Sequence, residues 1–384
     1  MIRIMQRYMA ISFLGPFVLS TLFFVIFLLT FQLFNLVKVF LYKDVSLNEA
    51  AGLFWQICMS FLPLAIPIST LFATMFTLNK LSEDCEVVAM RSFGLSKTKV
   101  FFPFLAMGIC VGATLYSLNL NIIPYSKTIF KNTVIKLTSK GVLKNIRSGQ
   151  FYSEIPKATI YAEKVFNKGT LLENVFIHLK FQNEEHERTI LAKRGHLKKI
   201  NIESRDVPSL RLLLFEGNIS KVNKIKGSVE KILFKEYEFP IMSGDIKIGF
   251  VTRDGMRPNK ELILLRKQLR KEYNETKKTE ANYLSIKNRL INVEIEYWQR
   301  INNSVQCIVF VFLGFCLSFG HNRFKKRSFS GPLFLSIIGY YGLFFLLLSI
   351  VKKGSLEPMV AILSPSLLIL LFSLVWMKRL DWVN

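Results

Sequence analysis

Long apolar stretches at both ends of the chain enclose a central region in which charged residues are frequent. A helix of about 18 or more apolar residues is long enough to cross the roughly 30 Å of hydrocarbon in a bilayer. The first stretch is too long for the core of a signal peptide and lacks a small-residue cleavage site, so we expect it to span the membrane as well. The pattern predicts six spans, near residues 12–37, 53–78, 100–124, 302–319, 332–351 and 359–377.

Between residues 149 and 241 the pattern changes to short runs of β-branched and aromatic residues. Strands that recur about every ten to fifteen residues between turns predict a β-sandwich or jelly-roll. Such a curved sheet can bind lipid chains between its faces, although a purely structural sandwich has the same periodicity. Turn-forming residues separate the runs at 167–169, 183–187, 216–218 and 226–228.

A helical pattern replaces the strand pattern from about residue 258 to residue 300. The apolar stripe covers only about two heptads, which favours packing on a neighbour or on the membrane surface over a coiled coil. Its residues recur at spacings of three and four and are Tyr283, Ile286, Leu290, Val293 and Tyr297.

These patterns predict an α-helical membrane protein with six spans and an inserted, jelly-roll-like β domain. The first three spans take residues 1–124, with a cytoplasmic helix near 82–94, and the β domain takes residues 125–257. A helical connector follows at 258–300, and the last three spans take residues 301–384.

Charge separates the same regions. The chain is 51% hydrophobic and yet carries a formal net charge of +24. Residues 125–300 hold 35 Lys and Arg against 20 Asp and Glu, whereas the other residues hold 16 against 7. Such a division excludes a disordered chain, a coiled coil throughout and a simple soluble enzyme.

Basic residues in the short loops predict the orientation in the membrane. Twelve lie on one side of the predicted spans and four on the other, so both termini are expected in the cytoplasm and the central domain outside it. That domain contains no cysteine, so it needs no disulfide. The twelve are Arg3, Arg7, Lys80, Arg91, Lys97, Lys99, Arg323, Lys325, Lys326, Arg327, Lys378 and Arg379, and the four are Lys38, Lys43, Lys352 and Lys353.

The loop between the second and third spans has the signals of a short capped helix. Ser82 is placed as an N-cap, Gly94 as the residue after the C-cap, and Ser96 as the cap of the next helix. Two interpretations are open: a solvated connector, or a lever that docks into a partner. Acidic residues on a basic side of the membrane favour a basic receptor, and they are Glu83, Asp84 and Glu86.

Several motifs, in this order on this topology, resemble the LptF/LptG lipopolysaccharide export permeases (the YjgP/YjgQ family). They are LNKLSEDCE at 78–86, MRSFGLS at 90–96, GQF at 149–151, LENVF at 172–176, AKRGHL at 192–197 and EYWQR at 296–300. GLSK at 94–97 and KGSLEP at 353–358 lean slightly toward LptF. The chain departs from the family at 302–304, Asn-Asn-Ser, where a proline is frequent.

The resemblance implies a permease subunit of an ABC transporter in the Gram-negative inner membrane, paired with a second LptF/LptG-type subunit and an LptB-type ATPase dimer. ATP hydrolysis would drive extraction of lipopolysaccharide from the outer leaflet. The periplasmic jelly-roll would then pass the lipid to LptC- and LptA-type bridge proteins. By position, Glu83, Asp84, Glu86 and Arg91 would lie on the coupling helix that docks in the ATPase, and the first and fifth spans would line a gate.

The residues agree with that reading in two respects. No GxxxxGK[ST] phosphate loop occurs in the sequence, so we expect a non-catalytic subunit that binds no cofactor or metal and leaves ATP to its partner. Lysines lie near the predicted outer ends of the spans, where they either contact lipid phosphates or anchor the helices at the interface. They are Lys38, Lys43, Lys127, Lys131, Lys136, Lys352 and Lys353.

Other classes of protein fit less well. An intramembrane enzyme or an ion-coupled carrier needs ionisable residues inside the spans, and the predicted spans hold almost none. Charge alone suggests a nucleic-acid partner, and the charged domain faces away from the cytoplasm, so we expect none. The strongest rival is a non-transporting scaffold, or a mechanical ABC subunit that acts on another lipid or a lipoprotein.

Overall fold

The computed structural model describes residues 2–41, 46–155, 158–166, 170–179, 186–201, 208–223, 229–242, 254–275, 282–319 and 330–379. The chain forms two compact units. The first contains Met1–Gln32, Phe54–Lys127 and Thr252–Asn384, and the second contains Leu33–Leu53 and Thr128–Val251. The predicted turns at 167–169 and 226–228, and most of the one at 183–187, lie outside the described residues.

Six of the helices in the described residues are long and apolar enough to cross a membrane. Together with the inserted antiparallel sheet, they confirm the predicted helical membrane domain with an inserted β domain. The helices are α1 (Ile2–Leu41), α2 (Leu47–Glu83), α3 (Glu86–Ser92), α4 (Lys97–Leu120), α5 (Ile122–Asn145), α6 (Asn259–Glu275), α7 (Tyr283–Phe319), α8 (Ser330–Lys352) and α9 (Pro358–Arg379). The spans are α1, α2, α4, α7, α8 and α9.

The helices on either side of the β domain differ from the prediction at two ends. The third span ends at Leu120, and Asn121 breaks the helix before α5 begins. Pro124 therefore lies in the first turn of α5, where its missing N–H is not needed. The fourth span is the second half of α7, which passes through 302–304 without a break.

Close packing through glycines holds α7 at the centre of the membrane unit. A Cβ added at Gly108 of α4 would lie 2.7 Å from Val311 Cγ2, and one at Gly112 would lie 2.8 Å from the Ser304 carbonyl oxygen. On another side of α7, a Cβ at Gly314 would lie 3.1 Å from a backbone oxygen of α2. Small residues one helical turn apart let two backbones approach closely in a membrane.

The outer spans are packed much less within the chain. Only 11% of the apolar window of α1 and of α8 is buried, against 61% for α2 and 56% for α7. The exposed faces of α1 and α8 are therefore left for lipid or for another protein.

The apolar stripe predicted along α7 packs against α6, which confirms that it covers a neighbour. Val293 is fully buried and contacts Leu262 and Leu269 of α6, with Leu290 and Tyr297 partly buried beside them. Glu294, whose side chain is 6% exposed, forms ion pairs with Arg266 at 3.2 Å and Arg270 at 2.6 Å. The Arg266 guanidinium also lies over the Tyr297 ring, 4.3 Å from its centroid.

The second unit contains one antiparallel sheet in which the six strands pair in chain order. The first strand begins at Phe151, and most of the residues that the prediction assigned to the β domain before it form α5, which continues to Asn145. The strands are β1 (Phe151–Ile155), β2 (Ala158–Phe166), β3 (Leu171–Leu179), β4 (His186–Asn201), β5 (Pro208–Asn223) and β6 (Val229–Met242).

A bend, here called the crease, crosses this sheet along the line where two successive residues of each of the strands β2 to β6 face outward. It allows one sheet to enclose a core. In β4 the buried positions are Ile190 and Ala192 before the crease and Gly195 and Leu197 after it. Side chains alternate along a strand, so this change from even to odd positions means that two successive residues face outward. Both wings of the sheet therefore contribute to a single apolar cluster. The same change occurs at 163–164, 173–174, 193–194, 215–216 and 235–236, which are paired across the sheet.

Left-handed backbone and polar contacts mark the crease. Asn174 has φ of 48° and Glu216 has φ of 52°. The Glu216 carboxylate accepts a hydrogen bond from Lys193 Nζ at 3.1 Å, which lowers the pKa of Glu216. These contacts are exposed and contribute little to stability, so the buried cluster carries the domain.

The turn predicted at 216–218 is wrong. β5 continues through these residues to Asn223. Glu216 bends the strand at the crease, and Gly217 allows β4 and β6 to approach it. The polar, glycine-containing composition that resembles a reversal therefore marks a bend within one strand.

We predict that Gly217→Ala destabilises the β domain, because the added Cβ would overlap the Leu191 carbonyl oxygen and the Phe234 ring. Overpacking of this kind costs about 1 to 3 kcal/mol. Faster proteolysis within residues 151–242 of the purified protein would measure the effect. Leu233→Ala, at a β6 side chain that is 79% exposed, is the control and should leave proteolysis unchanged.

We also predict that Gly112→Val separates α4 from α7 and lowers the melting temperature of the detergent-purified protein. Gly52→Val is the matched control, because nothing lies within 4 Å of a Cβ added at Gly52 of α2. Equal losses of stability in the two variants would contradict the close packing of α4 on α7.

Candidate functional site

The short helix predicted between the second and third spans is present, but it is shorter than its sequence signals indicate. α3 comprises Glu86–Ser92, and it is flanked by two left-handed residues, Cys85 (φ 57°) and Gly94 (φ 73°). The placement of Gly94 is confirmed: its N–H donates to the Arg91 carbonyl and the Leu95 N–H donates to the Met90 carbonyl, as in a Schellman motif.

The placement of Ser82 as N-cap is wrong. Ser82 lies in α2, which continues to Glu83, and Cys85 occupies the N-cap position of α3 without a side-chain hydrogen bond. The helical pattern of the second span extends past its apolar part, so the capping signal falls inside a helix. Ser96 is the N-cap of α4, as predicted, although its hydroxyl contacts Thr98 Oγ1 at 3.0 Å.

An apolar cluster fixes α3 to the membrane unit. Val87 and Met90 are the buried residues of α3, and they belong to a cluster that takes residues from four spans. A displacement of α3 would therefore act on these spans together. The cluster contains Met9 and Phe13 of α1, Ala73, Leu78 and Leu81 of α2, Val100, Phe101 and Phe104 of α4, and Val311 and Phe315 of α7.

The structure separates the predicted docking residues. Glu83 ends α2 and Asp84 follows it, so both acids lie exposed before α3. Glu86 alone is in the first turn of α3, where it is half-buried. The Arg91 guanidinium lies 6.0 Å from the centroid of the Phe319 ring of α7.

Sequence reasoning missed a partner of Glu86. The Tyr8 hydroxyl donates a hydrogen bond to Glu86 Oε1 at 2.9 Å. The two residues are 78 positions apart, and Tyr8 lies in an apolar stretch, so no local pattern could have indicated the contact.

The predicted phosphate-contacting lysines have different surroundings. Lys131 is buried, with 8% of its surface exposed, and Lys352 and Lys353 are exposed at the end of α8. Lys43 lies outside the described residues. Lys38 and Lys136 lie in α1 and α5, but their side chains are likewise outside the described part of the structure.

Lys127 lines a cleft of about 210 Å³ in the membrane unit. Aromatic rings and amide groups form the walls, and Lys127 is a cation among them. A cleft that combines aromatic rings, amide groups and a cation suits an amphipathic molecule that carries an anionic group. The lining residues are Ser60, Pro63 and Leu64 of α2, Lys127 of α5, Gln299, Asn302, Asn303 and Gln306 of α7, and Tyr340, Tyr341, Phe344 and Phe345 of α8.

A closed ring of hydrogen bonds joins two of these lining residues to Ser366. Asn302 Nδ2 donates to the Tyr340 hydroxyl oxygen at 3.0 Å, and Ser366 Oγ donates to Asn302 Oδ1 at 2.7 Å. The Ser366 hydrogen is then used, so Tyr340 donates to Ser366 Oγ, which lies 3.0 Å away. Each member of the ring both donates and accepts, which makes burial of these groups tolerable in an apolar environment. The ring joins α7, α8 and α9.

Comparisons with known proteins support the family assignment. Among curated proteins, none matches this chain. The model of the family described as lipopolysaccharide export system permease LptF/LptG matches residues 7–379. The match confirms the resemblance and does not distinguish LptF from LptG, so the lean toward LptF stays a prediction. Because it covers nearly the whole chain, this protein belongs to the LptF/LptG family, the permease component of the lipopolysaccharide export system, and is a multi-pass protein of the inner membrane.

Proposed function

We propose that this chain is a non-catalytic permease subunit that a separate ATPase drives to extract lipopolysaccharide from the outer leaflet of the inner membrane. One observation carries the proposal: α3 is a short helix held by buried side chains in a cluster with four spans. Force applied to such a helix is passed to the spans. The chain itself would bind no cofactor, and ATP would be used by an LptB-type dimer.

The surface of α3 supports docking of a partner. Val88 is 61% exposed and Phe93 is 75% exposed, and the acids Glu83 and Asp84 are exposed just before the helix begins. Exposed apolar side chains on a short helix that follows two exposed acids suit an interface with a basic partner. Arg91, which lies over Phe319, would fix α3 to α7 rather than contact the ATPase.

The outer parts of the molecule would handle the lipid. With both termini in the cytoplasm and the β domain in the periplasm, lipid would enter between α1 and α8 of this chain and those of a paired LptF/LptG-type subunit. The low burial of α1 and α8 supports this placement of the gate. The β domain would then pass the lipid to LptC- and LptA-type proteins.

Among the predicted phosphate contacts, Lys127 has the strongest support, because it lines the cleft. Lys38, Lys43, Lys136, Lys352 and Lys353 are proposed as further contacts near the membrane surface. Burial of Lys131 makes a direct lipid contact in this conformation less favourable for that residue.

We predict that Glu86→Lys lowers the amount of ATPase that co-purifies with the permease several-fold, because a cation would then face a basic receptor. Quantitative mass spectrometry of the purified complex measures the ratio of the subunits. Glu357→Lys, an exposed position before α9, is the matched control. Wild-type ATPase recovery in Glu86→Lys would remove α3 from the docking role.

We further predict that the purified complex retains lipopolysaccharide and that Lys127→Glu retains several-fold less, because the substituted carboxylate repels lipid phosphate. Lipid mass spectrometry provides the measurement, and Lys99→Glu, an exposed position outside the cleft, is the control. Retention of a different lipid or of a lipoprotein would favour a mechanical subunit with another substrate. No retained lipid in an intact complex would favour a scaffold.

A further inference from the structure

We infer that Tyr8 is a positioning residue that makes the first span and α3 move together. The inference rests on the proposed function, because it has consequences only if α3 docks an ATPase. Its basis is the contact between two parts of the cytoplasmic side: the Tyr8 hydroxyl of α1 and the Glu86 carboxylate of α3, 2.9 Å apart.

The hydrogen bond orients a carboxylate that would otherwise rotate freely. Tyr8 occupies Oε1 of Glu86, and within the described residues no other donor reaches this side chain. Oε2 therefore remains available to a donor on a docked partner. The oxygen that Tyr8 holds ties the carboxylate to α1, so Tyr8 links the proposed docking residue of α3 to the first span.

An apolar contact next to the hydrogen bond links the same two elements. Met9 and Phe13, one helical turn apart on α1, are both fully buried and share a cluster with Val87 and Met90 of α3. Tyr8 is 47% exposed, so its hydrogen bond lies at the rim of this contact. The buried side chains hold α3 against α1, and the exposed hydroxyl adds a polar link that can break and form again at low cost.

α1 is suited to carry a displacement outward. Beyond the shared cluster, one side of α1 contacts α2, where Thr77 Oγ1 donates to the Ser12 carbonyl at 3.3 Å and Ser20 Oγ lies 3.4 Å from the Ser69 carbonyl. Its other side is exposed, with Val18, Leu22 and Phe23 all at least 60% accessible. A helix held at its cytoplasmic end and open along one face can tilt when that end moves.

The test is Tyr8→Phe, which removes the hydroxyl and keeps the ring. In the full complex reconstituted with its ATPase in vesicles that contain lipopolysaccharide, we expect ATPase recovery and melting temperature to match the wild type. The lipopolysaccharide released per ATP hydrolysed should fall about three- to tenfold, the range that one partly exposed hydrogen bond supports. Tyr116→Phe is the control, because Tyr116 of α4 makes no hydrogen bond within the described residues and should keep the wild-type ratio.

A double variant shows whether Tyr8 acts through Glu86. Glu86→Gln keeps an acceptor for the hydroxyl but loses the charge, and Tyr8→Phe combined with Glu86→Gln should release no less lipid per ATP than the worse single variant. Losses that multiply would overturn the inference, and so would an unchanged ratio in Tyr8→Phe. The inference would also be overturned if Tyr8→Phe lowered both the melting temperature and ATPase recovery, because the hydrogen bond would then have only a structural role. If the wild-type complex recovers no ATPase or releases no lipopolysaccharide, the proposed function itself fails.

Discussion

The close approach of α7 to α4 and α2 is the contact on which the membrane unit depends. Lipid chains are as apolar as the side chains of the spans, so hydrophobicity alone does not bring two spans together. Van der Waals contact at Gly108, Gly112 and Gly314 does so, and the hydrogen-bonded ring at Asn302 adds α8 and α9. Because α7 is central, the cluster under α3 and the cleft beside Lys127 both include its residues. α1 and α8 remain at the periphery, with most of their apolar surface exposed.

The β domain buries an apolar core with a single sheet. A single flat sheet has two exposed faces and cannot bury a core. Residues on both sides of the crease point into one buried cluster. The crease falls at positions that are paired between neighbouring strands. The left-handed backbone at Asn174 and Glu216 lies where the alternation of buried and exposed side chains changes phase. Gly217 leaves room for the neighbouring strands. Within the described residues one sheet is therefore enough to enclose the core, and the domain contains no cysteine that could form a disulfide.

Local patterns predicted most elements because their causes are local. Apolar length identified the six spans, the spacing of Val293 and Tyr297 identified the face of α7 that packs on α6, and Gly94 identified the end of α3. Errors arose where two local signals compete. Ser82 is a good cap, but the helix that precedes it continues. The stretch 216–218 has the composition of a turn, but strand pairing on both sides keeps it extended.

The sequence by itself determined the six membrane-spanning helices, the inserted β domain and the short helix between the second and third spans, since each follows from periodicity and length over a few turns or strands. Only the tertiary structure decided what each candidate site residue touches. It paired Tyr8 with Glu86, turned Arg91 toward Phe319, buried Lys131 and placed Lys127 in a cleft. These contacts join residues far apart in the chain, and their geometry is set by how helices pack, which no local pattern encodes.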